Sequence, residues 1–186
     1  MAMTLLLWVL TGVAAIILLY IAIGFNSLIT ARNRVENAWS QIDVQLKRRF
    51  DLIPNLVEAV KGYMKYEQKT FKMITEARSL MTKAGSVKEK AKAENMLAGA
   101  LKTIFAVAEN YPRLKANKSF LMLQEELSGT ESKIAYSRQF YNDSVMSLNN
   151  KIQYFPTNIL AGIFGFKEQE YFEAEKGAEK PVKVKF

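Results

Sequence analysis

The stretch that decides the fold is TLLLWVLTGVAAIILLYIAIGF, residues 4–25, which contains no charged side chain. A helix that crosses the hydrocarbon core of a bilayer needs about 20 such residues. Trp8 and Tyr20 lie towards the two ends of the run, where amphipathic rings favour the membrane interface. A cleaved signal peptide would have basic residues before a shorter apolar run and a small-residue cleavage site after it, and this sequence offers no such pattern. We therefore expect residues 1–25 to be a retained transmembrane anchor.

The charges that flank this run predict its orientation. Arg32 and Arg34 follow it, whereas only the α-amino group precedes it. Because basic flanks stay on the cytoplasmic side of a membrane, we expect the N-terminus outside and the remaining chain in the cytoplasm. The sequence thus predicts a single-pass protein of the cytoplasmic membrane.

The region after the anchor has the apolar periodicity of helices. Large apolar side chains recur about every 3.6 residues at Leu28, Val35, Trp39, Ile42, Leu46 and Ile53. Pro54 is expected to end this first helix, because proline disfavours helical geometry in the residue before it. A second helix is expected from Pro54 to Ala84, and Ser86 with Glu89 forms a capping-box pattern at the start of a third. Tyr111-Pro112 should end the third helix.

The fourth helix, from about Pro112 to Tyr154, carries a heptad pattern. Its first row consists of Asn117, Gln124, Glu131, Arg138, Val145 and Ile152. Three residues further on, the second row consists of Phe120, Leu127, Ile134, Tyr141, Leu148 and Phe155. The second row is apolar, whereas the first half of the first row is polar. The pattern predicts that Glu131 and Arg138 are mostly buried and paired. At Gly129 we expect the helix to continue or to have a mild kink.

Four helices joined by short turns predict an all-α, up-and-down bundle that continues from the anchor helix. We expect a bundle domain over residues 26–174 and a mobile charged tail over residues 175–186. In this alternation the Asp51–Pro54 and Tyr111-Pro112 turns lie far from the bilayer, and the Gly85-Ser86 turn lies near it. The candidate membrane-surface contacts at the near turn are Lys83, Lys88, Lys90 and Lys92.

Residues 152–166 also return towards the bilayer in this alternation, and they carry no charge. They are too few to span a membrane comfortably. Ile159 and Phe164 are therefore candidate lipid contacts, and the alternative is that the segment closes the base of the bundle. The sequence leaves both possibilities open.

Composition restricts the possible functions. The chain has no Cys and no His, which removes thiolate nucleophiles, disulfides and the commonest general base and metal ligand. Residues 32–118 carry a net charge of +9 and residues 119–186 one of −1, but the aromatic residues follow the apolar stripes and not the basic clusters. We expect no nucleic-acid binding, no catalytic residue, no metal and no cofactor.

Several strings of the sequence resemble the LemA family of bacterial membrane proteins. They include AWSQIDVQLKRR at residues 38–49, DLIPNLV at residues 51–57, AENYP at residues 108–112 and LKAN at residues 114–117. The resemblance covers nearly the whole chain, with Tyr66 where the family pattern suggests His. It implies one membrane helix before a helical bundle and no established molecular activity. It also implies an association with magnetosome membranes, or with membrane zinc proteases and TPM-domain proteins in envelope quality control.

Several charges fall on the apolar stripes, and they allow two interpretations. Arg49 continues the stripe of the first helix, and Glu67 and Arg78 lie on that of the second. Paired buried charges that fix helix register would suit a non-enzymatic scaffold that binds the bilayer and either itself or a membrane-protein partner. An open polar pocket would instead suit a small-ligand or ion sensor. Membrane remodelling through residues 152–166 is a third possibility.

Overall fold

The computed structural model describes residues 1–63 and 68–172, and within these residues the protein is entirely α-helical. The helices in chain order are α1 (Ala2–Lys61), α2 (Gln68–Lys83), α3 (Val87–Ala108), α4 (Pro112–Lys115), α5 (Lys118–Gln153) and α6 (Thr157–Ile163). The all-α class expected from the apolar periodicity is confirmed.

The chain divides into two compact units. Unit 1 comprises Met1–Trp39 and Tyr141–Gln169, and unit 2 comprises Ser40–Phe140 and Glu170–Phe186. The helices α1 and α5 each contribute residues to both units. Glu67 and the charged tail over residues 175–186 lie outside the described residues, so the predictions made for them stay predictions.

The first half of α1 is apolar and exposed. It contains the one stretch in the described part of the chain that is long and apolar enough to cross a membrane, and none of that stretch is buried within the protein. Large side chains such as Trp8, Ile16 and Leu18 have no protein cover. A core helix would bury these side chains, so their exposure indicates membrane anchoring.

The prediction that Pro54 ends the first helix is wrong. Pro54 lies inside α1, which continues to Lys61, and α2 begins only at Gln68. Proline removes one backbone hydrogen bond and costs about 3 kcal/mol in a helix interior. Ile53, Leu56 and Val60 are fully buried in the core of unit 2, and their burial on both sides of the proline offsets this cost. The expected turn at Asp51–Pro54 is therefore absent.

The predicted turn between the second and third helices is confirmed at Gly85-Ser86. Ser86 is the N-cap of α3, and its hydroxyl accepts a hydrogen bond from the Glu89 backbone N–H at 3.2 Å. The Glu89 carboxylate accepts one in return from the Gly85 backbone N–H at 2.8 Å. These reciprocal bonds satisfy donors that have no partner within the helix.

The predicted fourth helix consists of two elements, α4 and α5. Asn117 lies between them, and its side-chain oxygen accepts a hydrogen bond from the Phe120 backbone N–H at 3.1 Å. Asn117 therefore caps α5, and its place in an interhelical seam stays a prediction. The helix continues through Gly129 without interruption. The apolar row is buried at Phe120, Leu127, Ile134, Tyr141 and Leu148, whereas Phe155 lies beyond the end of α5 and is exposed.

Candidate functional site: a buried ion-pair cluster

Charged side chains in unit 2 occupy positions that the helical period turns inward. Ile42, Leu46, Ile53 and Leu56 form the buried stripe of α1, and Arg49 occupies the same stripe between them. A stripe position buries its side chain whatever its chemistry, so the Arg49 guanidinium must find partners inside the unit.

Glu94 occupies the corresponding stripe of α3. Ala91, Leu97, Leu101 and Ile104 share this stripe and are buried. Glu94 is not among the residues predicted from the sequence. The three-residue spacing from Ala91 to Glu94 and from Glu94 to Leu97 is the signal that would have identified it.

Arg49, Glu94, Glu131 and Arg138 form one ion-pair cluster that joins α1, α3 and α5. The Arg49 guanidinium donates to Glu94 through Nη1 and pairs with Glu131 through Nη2. Arg138 Nη2 lies 3.6 Å from the Glu94 carboxylate. Two cations therefore face two anions, and the cluster carries no net charge.

Burial differs sharply within the ion-pair cluster. The side chains of Glu94 and Arg49 are 1% and 3% exposed, so their pairing takes place without solvent screening. Arg138 is one-fifth exposed, and its guanidinium stacks over the Phe172 ring at 4.7 Å. The Glu131 side chain is 45% exposed, so the expectation that Glu131 is mostly buried is wrong. Glu131 therefore lies at the solvent edge of the cluster.

Burial sets the direction of the pKa shifts in the ion-pair cluster. Loss of solvent raises the pKa of Glu94 above its ordinary 4.5, and this effect outweighs the opposing attraction of Arg49 and Arg138. Burial likewise lowers the pKa of Arg138, against the attraction of Glu94 and Glu131. Arginine nevertheless keeps its charge over the pH range in which proteins fold. Burial therefore favours the protonated form of the Glu94 carboxyl.

We expect the pKa of Glu94 to appear in the pH dependence of stability. A pKa that is raised in the folded state stabilises the fold below the ordinary value of 4.5, and this stabilisation is lost as pH rises through the raised value. The free energy of unfolding of the unaltered protein, relative to Glu94→Gln, should therefore fall as pH rises from 4.5 through the raised pKa of Glu94. Urea unfolding of both proteins at several pH values measures this difference. A difference that grows with pH would mean that the two arginines outweigh burial.

The other predicted residues lie apart from the ion-pair cluster or at its edge. Gln124 lines a cleft of about 410 Å³ beside Arg49 and Glu131. Arg78 lies outside the cluster, with its guanidinium over the Phe50 ring at 4.4 Å. Asn117 caps α5, as described above.

The candidate membrane contacts differ in whether their side chains are paired within the protein or exposed. Lys90 pairs with Asp43 at 2.5 Å, so its charge is engaged within unit 2. Lys83, Lys88 and Lys92 are exposed. Ile159 and Phe164, in unit 1, are exposed apolar side chains on and just after α6. Membrane contact by these residues stays a prediction.

The fold and the cluster define a class of protein. An exposed apolar N-terminal helix indicates a membrane-associated protein, and the helical domain that follows has an interior fixed by paired charges. Within the described residues, no three acidic, histidine or cysteine side chains gather as a metal site would require.

Comparison with known proteins identifies the family. The LemA family model matches residues 38–186. Protein LemA of Metamycoplasma hominis is 31% identical over 156 residues, which are 81% of this chain and 69% of the relative. Magnetosome protein MamQ 2 of Paramagnetospirillum magneticum is 25% identical over 184 residues, 85% of this chain and 68% of the relative. Magnetosome protein MamQ of Magnetospirillum gryphiswaldense is 24% identical over the same lengths. The chain belongs to the LemA family.

Proposed function

We propose that this protein is a non-enzymatic, membrane-anchored scaffold of the bacterial cytoplasmic membrane, which binds a second copy or another membrane protein through unit 2. The observation that carries the proposal is the internal pairing of the ion-pair cluster. Arg49 and Arg138 both pair with Glu94, and this pairing fixes the register of three helices. A scaffold needs such a rigid body, whereas an enzyme needs reactive groups that are open to a substrate.

The process that this scaffold serves is membrane organisation or envelope quality control. Relatives named as magnetosome proteins favour membrane organisation. If the process is envelope quality control, the expected partner is a membrane protease or a TPM-domain protein.

The surface of α5 offers a place to test for a protein partner. Met122 and Tyr136 are large, exposed and two heptads apart, so both lie on one face of the helix. A photoreactive phenylalanine analogue at Tyr136, activated in intact cells, should give a discrete adduct with a second copy or an integral membrane protein. Met122→Asp should reduce this adduct several-fold, because a charge opposes docking of an apolar partner, whereas Met122→Leu should leave it unchanged.

The result that would contradict the scaffold is equally specific. Neither substitution removes buried surface, so helix content measured by circular dichroism should be the same in all variants. A diffuse set of adducts that ignores Met122→Asp would mean that this face of α5 has no protein partner.

We also propose that the domain after the anchor lies in the cytoplasm, on the basis of Arg32 and Arg34. The chain contains no cysteine, so a single one can be introduced at the exposed Ser132. This thiol should resist a membrane-impermeant reagent in intact cells and react after lysis. Ready labelling in intact cells would reverse the proposed orientation.

A small-ligand sensor is the second candidate, and the cleft of about 410 Å³ favours it. Lys102 and Gln124 line this cleft together with the half-exposed Glu131 carboxylate. A ligand bound there should raise the unfolding temperature of the unaltered protein and not that of Glu131→Gln. The absence of any such shift across a panel of metabolites would leave the scaffold as the remaining proposal.

A further inference from the structure

The segment between Lys151 and Lys167 carries no charge over residues 152–166. It leaves the end of α5, turns, and forms the short helix α6. The segment thus has two sides, one packed within unit 1 and one open.

The packed side lies against α1 at the end of the charge-free run. Leu160 and Ala161 are buried together with Leu28. At Gly24, an added Cβ would lie 2.5 Å from the Leu160 side chain. The absence of a side chain at Gly24 therefore allows α6 to pack closely against α1. The Phe164 ring, just after α6, packs against the Phe25 ring with centroids 4.7 Å apart.

The open side is strongly apolar. Phe155, Ile159 and Ile163 are 80%, 53% and 69% exposed, so more than half of each side chain is uncovered. They are spaced four residues apart, and Ile159 and Ile163 lie on one face of α6. Tyr154 adds a further exposed ring beside Phe155. A group of large exposed apolar side chains of this kind marks a contact with a membrane or with another protein.

The position of α6 along α1 distinguishes between these two partners. A membrane span needs about 20 residues, so a span that starts at Leu5 ends near Gly24, where Leu160 docks. The open side of α6 therefore lies at the level along α1 where the exposed apolar surface of the anchor helix ends. Lys151 donates to the Ser27 hydroxyl at 2.5 Å, which holds the end of α5 against α1 just beyond this level. Lysines at both ends and apolar side chains between them suit a helix that lies in a membrane interface.

We propose that α6 lies in the plane of the membrane interface beside the anchor, with Phe155, Ile159 and Ile163 inserted into the lipid of the same leaflet. Its partner is thus the phospholipid bilayer and not a second protein. The proposal rests on membrane anchoring by α1, and it does not depend on any partner of unit 2. It means that two elements attach unit 1 to the membrane, since α6 adds an in-plane contact to the transmembrane helix.

Single cysteines at Ile159 and Ile163 test the proposal in the full chain, reconstituted into vesicles of zwitterionic and anionic phospholipids. A nitroxide on each thiol reports accessibility to oxygen, which concentrates in lipid, and to a water-soluble nickel complex. The ratio of oxygen to nickel accessibility should be several-fold higher at both positions than at Glu125→Cys, an exposed site on α5 whose native carboxylate belongs in water.

Two other outcomes would overturn the proposal. Nickel accessibility at position 159 equal to that at position 125 would place α6 in water. Protection from both reagents would mean that a second copy or another protein covers it. Because an apolar label could itself draw α6 into lipid, the modification rate of the unlabelled thiols by a charged reagent provides a second measurement. This rate should be several-fold lower at position 159 than at position 125. Equal rates at the two positions would mean that α6 lies in water.

Discussion

Replacing Arg49 with alanine is expected to destabilise the protein by about 3–5 kcal/mol, because it leaves a buried carboxylate without its main partner. The Glu94 side chain is 1% exposed, and Arg138 at 3.6 Å would be its remaining cation. Glu131 would also lose its partner, at smaller cost, because water reaches it. Urea or thermal unfolding of the detergent-solubilised chain, followed by circular dichroism at neutral pH, measures the loss.

The neighbouring arginine provides a matched control. Arg48 pairs with Glu126 at 2.8 Å, also between α1 and α5, but both side chains are close to half exposed. Exposed pairs of this kind contribute about 0–1 kcal/mol, so Arg48→Ala should have a small effect. The two variants remove the same side chain from adjacent positions, and burial is the main difference between them. Equal losses would mean that the ion-pair cluster is hydrated and contributes no more than a surface pair.

Replacing Ile16 with arginine is expected to release part of the protein from the membrane. Ile16 lies near the middle of the charge-free run and has no protein cover, so its substitution disturbs no packing within unit 1. A cation at the centre of a membrane helix costs about 2.5–3.5 kcal/mol of insertion free energy on translocon scales. Fractionation of cells should show part of the Ile16→Arg protein in the soluble fraction and all of an Ile16→Val protein in the membrane.

A truncated chain decides how much of the attachment the run supplies. A chain that begins at Asn26 lacks the whole run and keeps α6 and the basic residues of unit 2. It should lose most of its membrane retention, because an interfacial helix binds far less firmly than a spanning one. If the truncated chain stayed in the membrane fraction as fully as the whole chain, residues 4–25 would not be the principal anchor.

The helical class could be predicted from the sequence because periodicity is a local property. Phe120, Leu127, Ile134, Tyr141 and Leu148 repeat every seven residues and are all buried, as the heptad pattern required. The Ser86–Glu89 cap was equally visible, since both residues and the backbone groups they satisfy lie within one turn of helix. Each of these features depends on residues that are neighbours in the chain.

The features that the sequence did not reveal depend on partners distant in the chain. Pro54 signals a helix end locally, yet the packing of Ile53 and Leu56 on other helices keeps α1 continuous. The exposure of Glu131 depends on how the neighbouring helices pack around it, and no spacing within its own helix specifies that. The helix period placed Arg49 in the interior, but only the tertiary structure identified its partners.

The contact between Gly24 and Leu160 limits how this protein can be re-engineered. Most residues before Tyr20 can be exchanged for any apolar helix of equal length, because their side chains are exposed and make no packing contact that another sequence would have to reproduce. Position 24 is different, since an alanine methyl already has to displace the Leu160 side chain and a larger group would push α6 away from α1. A chimaera that takes its whole membrane helix from another protein would stay attached to the membrane. It would lose the Gly24 surface on which α6 packs. Such grafts should therefore be joined before Tyr20, so that the segment from Tyr20 to Leu28 is inherited intact.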